Sequence, residues 1–226
     1  SHRVMTDPTL YGYFRSSCSW RVRIALAYKN LAAEHVPVHL VKDGGQQHAH
    51  AHHLRNPMHQ VPVFETEGEQ LAQSMAILTY IEEAHPTPPL MPDTPLVRAK
   101  CMQFAEMVNA GIQPLQNLAV MQHLQNVYGW TKPQALEWSA HWIHTGLVAL
   151  DAFAESVSGT YSVGDAISLA DCCLYPQLYN AKRFGLKMTD YPRLAQIERN
   201  LSTVEAFITS DPARQLDTPP ELRAPN

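Results

Sequence analysis

Charged side chains are scarce in this sequence, and neither sign dominates. They make up 17% of the 226 residues, with 17 Lys and Arg against 21 Asp and Glu, so the formal net charge is −4. Proteins that bind nucleic acid usually carry a concentrated basic face, so we expect no nucleic-acid partner. The sequence also lacks an apolar run of the roughly 18 residues that a transmembrane helix needs, so we expect no membrane span.

Cysteine is also rare, and its spacing fits neither a disulfide framework nor a zinc site. The chain has Cys18, Cys101, Cys172 and Cys173, without a Cys-x-x-Cys pair. We therefore expect reduced thiols and a cytoplasmic location. The first residues, Ser1-His2-Arg3-Val4, precede Met5 and resemble a cloning remnant rather than a signal peptide.

A proline-rich segment divides the chain. Residues 86–92 contain four prolines in seven positions, which forbids a continuous helix there. The overall apolar content of 45% is enough for packed cores. We therefore predict an N-terminal domain at 5–86, a linker at 87–94 and a second domain at 95–226.

Short β-like runs alternate with helical patterns before the linker. We predict strands at 9–14, 35–41, 61–64 and 71–72, and helices at 20–31, 48–55 and 75–84. Ser74 is the expected N-cap of the last helix. The order βαβαββα favours an α/β domain in which parallel strands are joined by a helical crossover and a hairpin adds an antiparallel edge.

Every pattern after the linker is helical, which predicts an all-α bundle domain. The expected helices cover 97–126, 133–157, 168–184 and 192–209. Ser168 and Asp171 have the spacing of a capping box, with Asp in place of the commoner Glu. The tail at 215–226 contains three prolines, and we expect it to run across the surface.

Hydroxyl groups and a thiol are concentrated where the first strand gives way to the first helix. The segment is Ser16-Ser17-Cys18-Ser19. Unpaired backbone N–H groups and the helix dipole favour an anion at a helix start, so a thiolate held there has a lowered pKa. The alternative is that Ser16, Ser17 and Ser19 simply cap the helix.

Two more segments could contact a ligand. Pro62 follows a polar loop, where proline is tolerated at a sheet edge or after a cis bond, and a cis bond would turn the backbone of Val61 toward a ligand. Gln73-Ser74 lies at a predicted helix start and could hold a carboxylate. A plain helix cap is the simpler interpretation of that pair.

These segments, taken in order, resemble the zeta class of glutathione transferases over residues 9–223. The run Ser16-Ser17-Cys18-Ser19-Trp20-Arg21-Val22-Arg23-Ile24-Ala25-Leu26 matches the signature of the class, and further blocks match at 42–47, 56–62, 73–74, 112–117, 170–171 and 215–219. The resemblance implies a thioredoxin-like N-terminal domain, an all-helical C-terminal domain, a homodimer, and glutathione as co-substrate.

The resemblance also implies roles for individual residues. The implied catalytic residues are Ser16, Ser17 and Cys18, of which Ser16 would hydrogen-bond the glutathione sulfur with the other two beside it. The implied glutathione contacts are Ser16, Ser17, Cys18, Ser19, Trp20, Arg21, Gln47, Val61, Pro62, Gln73, Ser74, Gln113 and Asn117. The implied substrate contacts are Arg183 and Gln113. Within glutathione, Gln73 and Ser74 would hold the γ-glutamyl carboxylate, and Val61 would pair with the cysteinyl backbone.

The activity that the resemblance implies is cis–trans isomerisation of maleylacetoacetate to fumarylacetoacetate in tyrosine and phenylalanine catabolism, by thiolate addition, rotation and elimination. Maleylpyruvate isomerisation and glutathione transfer to small α-haloacids are alternatives that use the same site. A third alternative is a domain that only binds a ligand. The intact residues of the thiol site argue against this alternative. Arg183 suits a small dicarboxylate substrate because guanidinium binds carboxylate bidentately, although a solvated helix-end cation is the other interpretation.

Histidines at 48, 50, 52 and 53 depart from the pattern of the class. His48 and His52 are one helical turn apart and could chelate a metal ion. No Cys, Asp or Glu nearby in the sequence completes such a site, and surface histidines explain the run equally well. We therefore expect no metal.

Overall fold

The computed structural model describes residues 6–226, so the predicted remnant at the N-terminus lies outside the described residues. The chain forms two compact units. The first comprises the residues up to Pro88 together with Glu205–Asn226, and the second is Pro89–Val204. This division differs from the predicted limits of 5–86, 87–94 and 95–226, because the last 22 residues, expected in the second domain, pack with the first unit.

A four-stranded sheet forms the centre of the first unit. Its strands are β1 (Thr9–Gly12), β2 (Glu34–Pro37), β3 (Val63–Thr66) and β4 (Glu69–Ala72), in the order β2-β1-β3-β4. β1 pairs parallel to β2 and antiparallel to β3, which pairs antiparallel to β4. The predicted βαβ crossover and antiparallel hairpin, and with them the thioredoxin-like fold class, are confirmed.

Three helices accompany the strands in the first unit: α1 (Ser17–Tyr28), α2 (His50–Arg55) and α3 (Ser74–Ala84), with short 3-10 turns at Lys42–Gly44 and Gln46–His48. The α1 residues Val22, Ile24 and Ala25 and the α3 residues Ile77 and Leu78 are fully buried, so both helices use an apolar face in the core. The predicted N-cap of α3 is wrong by one residue: Gln73 is the cap and Ser74 is the first helical residue.

The second unit is helical, as predicted. Its helices are α4 (Pro95–Asn109), α5 (Leu118–Tyr128), α6 (Lys132–Val157), α7 (Leu169–Arg183) and α8 (Pro192–Leu201), with 3-10 turns at Gln113–Gln116 and Met188–Asp190. None of the helices within residues 6–226 combines the length and the apolar character that crossing a bilayer requires.

Two predicted helices are each divided in the structure. The helix expected at 97–126 is interrupted after Asn109, because Pro114 has no N–H to donate and the Asn117 side chain instead caps α5 by accepting from Ala119 N–H at 3.1 Å. The helix expected at 192–209 ends at Leu201, where the Ser202 hydroxyl bonds a backbone carbonyl, and a separate α9 (Glu205–Thr209) follows in the first unit.

Asp171 anchors the start of α7, as the capping box predicted. Its carboxylate accepts from Ser168 N–H at 2.9 Å and from the N–H and hydroxyl of Ser162 at 2.9 and 2.6 Å. The group is fully buried, and burial raises its pKa to about 6 although the hydrogen bonds act to lower it.

The C-terminal tail runs across the surface, as expected, with residues 216, 220–223, 225 and 226 exposed. It contains 3-10 turns at Pro212–Arg214 and Pro220–Leu222. Thr218 between them is only 3% exposed, so this residue fixes the tail in place.

Candidate active site

Ser16 is the N-cap of α1. Its Oγ accepts from Ser19 N–H at 3.1 Å, with the extended backbone angles that a cap requires. The capping interpretation of Ser16 is therefore confirmed. It does not compete with a role toward a thiolate, because a hydroxyl has one donor and two acceptor positions and capping uses only an acceptor. The O–H remains able to donate to an anion at the helix start.

The next three residues of the signature differ in exposure. Ser17 is buried, Cys18 is half-buried with a free thiol, and Ser19 is fully buried. Ser19 Oγ accepts from Tyr13 N–H at 3.4 Å, so this hydroxyl holds the loop before α1. Of the three, Cys18 is the side chain that solvent reaches.

Trp20 and Arg21 lie beneath the helix start, at 1% and 0% exposure. The Trp20 indole N–H donates to Ser210 Oγ at 3.0 Å, which ties α1 to the C-terminal segment. The Arg21 guanidinium donates to Ser74 Oγ at 3.0 Å, which links α1 to the start of α3. Both side chains stand behind the surface that a ligand would contact.

Ser74 and Gln73 form a second place suited to an anion. Gln73 is exposed and has φ of 73° and ψ of 117°, a backbone conformation that residues other than glycine rarely adopt and that clusters at functional sites. Because Ser74 Oγ accepts from the buried Arg21 cation, its O–H is left to donate outward, next to the backbone N–H groups of the α3 start.

The Val61–Pro62 peptide bond is cis, and Val61 is half-buried. The carbonyl of the preceding Gln60 accepts from His52 Nε2–H at 2.8 Å and from Asn56 Nδ2 at 3.1 Å. These two residues thus hold the backbone that leads into Val61. No sequence pattern predicted this role for His52 or Asn56, although Asn56 belongs to one of the matching blocks.

His52 should make stability depend on pH. It is almost fully buried, and burial is the main cause that lowers its pKa below 6.5. The unfolded chain therefore binds the proton first as pH falls through about 6.5, and the folded state loses stability by at most about 1.4 kcal/mol per pH unit. His52→Gln keeps an N–H for the Gln60 carbonyl and does not titrate. We expect the Tm of the native protein to fall relative to that of His52→Gln between pH 8 and pH 5.

Thermal unfolding of the two proteins in the same buffers measures this difference, since the titration of Asp171 is common to both. His50→Gln, at an exposed position on the same helix, is the matched control and should leave the pH dependence unchanged. A Tm difference between native protein and His52→Gln that is constant with pH would contradict the prediction.

Gln47 is buried in the turn before α2. Its Nε2 donates to Leu40 O at 3.1 Å, whereas its Oε1 has no donor among residues 6–226. Gly45 makes room for it, since a Cβ on Gly45 would lie 2.7 Å from Oε1, and Gly45 also has φ of +100°. The amide is fixed, and its oxygen can accept from a ligand.

His48 and His52, whose spacing could have allowed chelation, do not point to a common place. His52 turns inward to Gln60, whereas His59 lies between His48 and His53, with ring nitrogens 2.9 and 2.7 Å apart. Throughout residues 6–226, no group of three or more His, Cys, Asp or Glu side chains has an arrangement that could hold a metal ion.

Three of the predicted site residues, Gln113, Asn117 and Arg183, lie in the second unit. Gln113 opens the 3-10 turn before α5 and is half-buried, and Asn117 is the α5 N-cap. Arg183 ends α7 and is exposed. Its Nη1 donates to Asn180 Oδ1 at 3.3 Å and its guanidinium carbon lies 5.9 Å from the Phe184 ring centre.

The geometry can be compared with known families. The chain matches the model of the glutathione S-transferase N-terminal domain over residues 7–83 and that of the glutathione S-transferase C-terminal domain over residues 146–197. The chain belongs to the glutathione S-transferase family. The first match includes the Ser16 segment, Gln47, Val61 and Ser74, and the second includes Arg183.

Several relatives of this glutathione S-transferase are named as isomerases. Maleylacetoacetate isomerase of Rattus norvegicus is 46% identical over 96% of this chain and 97% of its own length. Maleylacetoacetate isomerase of Anaeromyxobacter dehalogenans, 44% identical with a TM-score of 0.83, has been solved with GSH and with dicarboxyethyl glutathione and citrate in the active site, with 94–95% of this chain and 98% of that chain covered.

A third similar structure is a maleylpyruvate isomerase described as a bacterial glutathione S-transferase of the zeta class. It is 34% identical, with a TM-score of 0.90, over 93% of this chain and 100% of that chain. The predicted resemblance to the zeta class is confirmed.

Proposed function

We propose that this protein catalyses the glutathione-dependent cis–trans isomerisation of maleylacetoacetate to fumarylacetoacetate, in tyrosine and phenylalanine catabolism. The observation that carries the proposal is the start of α1, where the Ser16 O–H and the helix dipole meet at one point, in a chain 46% identical to the rat isomerase. Such a place stabilises a thiolate, which is the nucleophile that the reaction needs.

The proposed isomerisation proceeds by addition and elimination of the glutathione thiolate, so glutathione is regenerated. The thiolate sulfur adds to one carbon of the cis double bond, and the π electrons move to the conjugated carbonyl oxygen to form an enolate. The former double bond is now single and rotates. The enolate then re-forms the carbonyl and expels the thiolate, leaving the trans alkene. The protein must stabilise the thiolate and the enolate and orient the carboxylates.

Glutathione is proposed to bind along the first unit. Its sulfur accepts from the Ser16 hydroxyl, with Ser17 and Cys18 adjacent, and its cysteinyl backbone pairs with Val61 before the cis bond to Pro62. This assignment is supported by the position of Ser16 at the α1 start and by the fixed Gln60 carbonyl that leads into Val61.

The γ-glutamyl carboxylate is proposed to bind Gln73 and Ser74. The support is the chain of donors from buried Arg21 through the Ser74 hydroxyl, which strengthens that hydroxyl as a donor to an anion. The side-chain amide of Gln47 binds another end of the tripeptide. Ser19, Trp20 and Arg21 contribute indirectly, by fixing the residues that contact glutathione.

Arg183 is proposed to bind a carboxylate of the substrate, with Gln113 and Asn117 as further contacts from the second unit. Arg183 is exposed at the end of α7, and a guanidinium group can form a bidentate contact with a carboxylate. The solvated helix-end interpretation predicts no effect of Arg183 on substrate binding, so kinetics separate the two.

We also propose a homodimer in the cytoplasm. The thiol state of all four cysteines agrees with a reducing compartment. The exposed side chains of Leu96 and Val97, at the start of α4, are apolar surface that a partner could cover. Light scattering should give twice the chain mass of 25.4 kDa.

The proposal is tested by mixing the purified protein with maleylacetoacetate, with and without glutathione, and coupling the trans product to its hydrolase. We expect conversion only with glutathione. Turnover of maleylpyruvate but not maleylacetoacetate would favour the second candidate, which the similarity to a maleylpyruvate isomerase supports. Turnover of α-haloacids alone, or glutathione binding without any turnover, would overturn the proposal.

A further inference from the structure

The loop that carries Ser16 is fixed at the backbone N–H and C=O groups of Tyr13 and Phe14. Between the end of β1 and Ser16, Tyr13 N–H donates to Ser19 Oγ at 3.4 Å and Ser16 N–H donates to Tyr13 O at 3.0 Å. The remaining contacts come from Arg23 and from the C-terminal tail. The position of the Ser16 hydroxyl therefore depends on residues distant in the sequence.

Arg23 joins this loop to the C-terminal segment. Its guanidinium donates to Tyr13 O at 3.3 Å and to Phe14 O at 2.8 Å, and it donates twice to Ser210 O, at 3.1 and 3.0 Å. The side chain is 6% exposed, and burial lowers its pKa to about 10, an effect that Asp217 and Asp211 oppose. A buried cation thus holds two carbonyls of the loop.

Asp217 supplies the complementary contact. Its Oδ2 accepts from Phe14 N–H at 3.0 Å, across 203 residues of sequence. The tail turn around it is closed by Gln215 N–H donating to Thr218 Oγ1 at 2.9 Å and by Thr218 N–H donating to Gln215 O at 3.1 Å. Asp217 is therefore presented by a defined turn whose Thr218 is buried.

Phe14 is consequently held at both its N–H, by Asp217, and its C=O, by Arg23. Only Arg15 lies between this fixed peptide and Ser16. Removing the Asp217 carboxylate releases the Phe14 N–H, frees the loop to turn and leaves Asp211 as the acidic neighbour of the buried Arg23. A shift of about 1 Å in a catalytic group can cost about 100-fold in rate.

We propose that Asp217 is a positioning residue for the thiolate chemistry: by holding Phe14 N–H it sets the direction of the Ser16 hydroxyl toward the glutathione sulfur. This inference rests on the proposed function. It makes the C-terminal tail part of the working glutathione site, with Asp217 acting through the Phe14 peptide.

The test compares Asp217→Ala, Asp217→Asn and Glu221→Gln. Asn retains a side-chain oxygen that can accept from Phe14 N–H, whereas Ala does not, and Glu221 is an exposed acid of the same tail. The main readout is the pKa of the bound glutathione thiol, followed by the ultraviolet absorbance of the thiolate. A second readout is kcat and KM for the isomerisation.

We expect Asp217→Ala to raise the thiol pKa by about one unit and to lower kcat about 10-fold at neutral pH, with the KM for glutathione changed less than threefold. Asp217→Asn should stay near the native values, and Glu221→Gln should match them. An unchanged thiol pKa in folded Asp217→Ala would overturn the proposal, and so would an equally large rise in Asp217→Asn, which would indicate an effect of charge alone.

The fold of each variant is checked by its Tm. If Asp217→Ala does not fold, the test uses Asp217→Asn and the hydrogen exchange of Phe14 N–H. We expect this N–H to stay as protected as in the native protein. Faster exchange together with a native thiol pKa would refute the role. Because the thiolate absorbance needs no alkene substrate, the outcome for Asp217 is read even if maleylacetoacetate is not turned over.

Discussion

Replacing Ser16 by Gly should raise the pH at which activity appears by one to two units. A hydrogen bond to a charged group contributes about 1.5–3 kcal/mol, and each pKa unit corresponds to about 1.4 kcal/mol, so losing the hydroxyl donor raises the pKa of the bound thiol by that amount. At pH 7 the thiolate fraction, and with it kcat/KM, should fall about 10- to 100-fold. The measurement is the pH profile of kcat/KM for isomerisation.

Gly is the informative substitution because Ser16 also caps α1. Gly at an N-cap costs only a few tenths of a kcal/mol, so it removes the hydroxyl, brings no side-chain donor and keeps most of the helix stability. Ser16→Ala loses the hydroxyl as well and should cost about 1 kcal/mol of stability. Ser16→Thr keeps both the cap and the donor and should retain a near-native profile. A native pH profile in Ser16→Gly would show that the Ser16 hydroxyl acts only as a helix cap.

The fold was predictable because its signals are local. The alternation of the strands, the helical spacing that includes Ile24 and the prolines at 86–92 each involve a few neighbouring residues, and together they give the βαβαββα order and the helical second unit. The capping box of Asp171 was readable for the same reason. Pro114 was equally readable, but the apolar pattern continues across it and concealed the division between α4 and α5.

The missed features depend on contacts between distant residues. Trp20 bonds Ser210 and Asp217 bonds Phe14 across 190 and 203 residues, and no local pattern encodes such pairs. The contacts that hold the tail were therefore not predicted. His52 lies in a run of histidines that suggested a solvent-exposed segment, yet the packing of α2 buries this one and leaves its neighbours outside.

The candidate site shows the same distinction. The residue types at 16–19 and 73–74 indicated an anion site at two helix starts, and the structure gives both starts the donors that such a site needs. The left-handed φ of Gln73 and the link from Arg21 to Ser74 could not be derived, since each follows from how α1 and α3 pack together. The sequence thus suggested candidate groups, and the tertiary structure determines which of their donors remain available.

Replacing Arg183 by Ala should raise the KM for maleylacetoacetate about 10- to 100-fold and leave the KM for glutathione within about twofold. The reason is the loss of a charge-assisted, bidentate contact to a substrate carboxylate, for which about 1.5–3 kcal/mol is usual. Arg183→Lys keeps the charge but lacks the planar guanidinium, so its KM for maleylacetoacetate should lie between those of the native protein and Arg183→Ala. Steady-state kinetics with each substrate varied in turn measure both constants.

Lys182→Ala is the matched control, because Lys182 is the neighbouring cation at the same helix end and is engaged with Glu198 at 2.8 Å. A general effect of positive charge at this end of α7 would raise the substrate KM in both variants alike. A contact made by Arg183 itself raises it in Arg183→Ala only. Native kinetics in Arg183→Ala would mean that this guanidinium is a solvated helix-end cation, and the substrate carboxylate would then have to be held by another group.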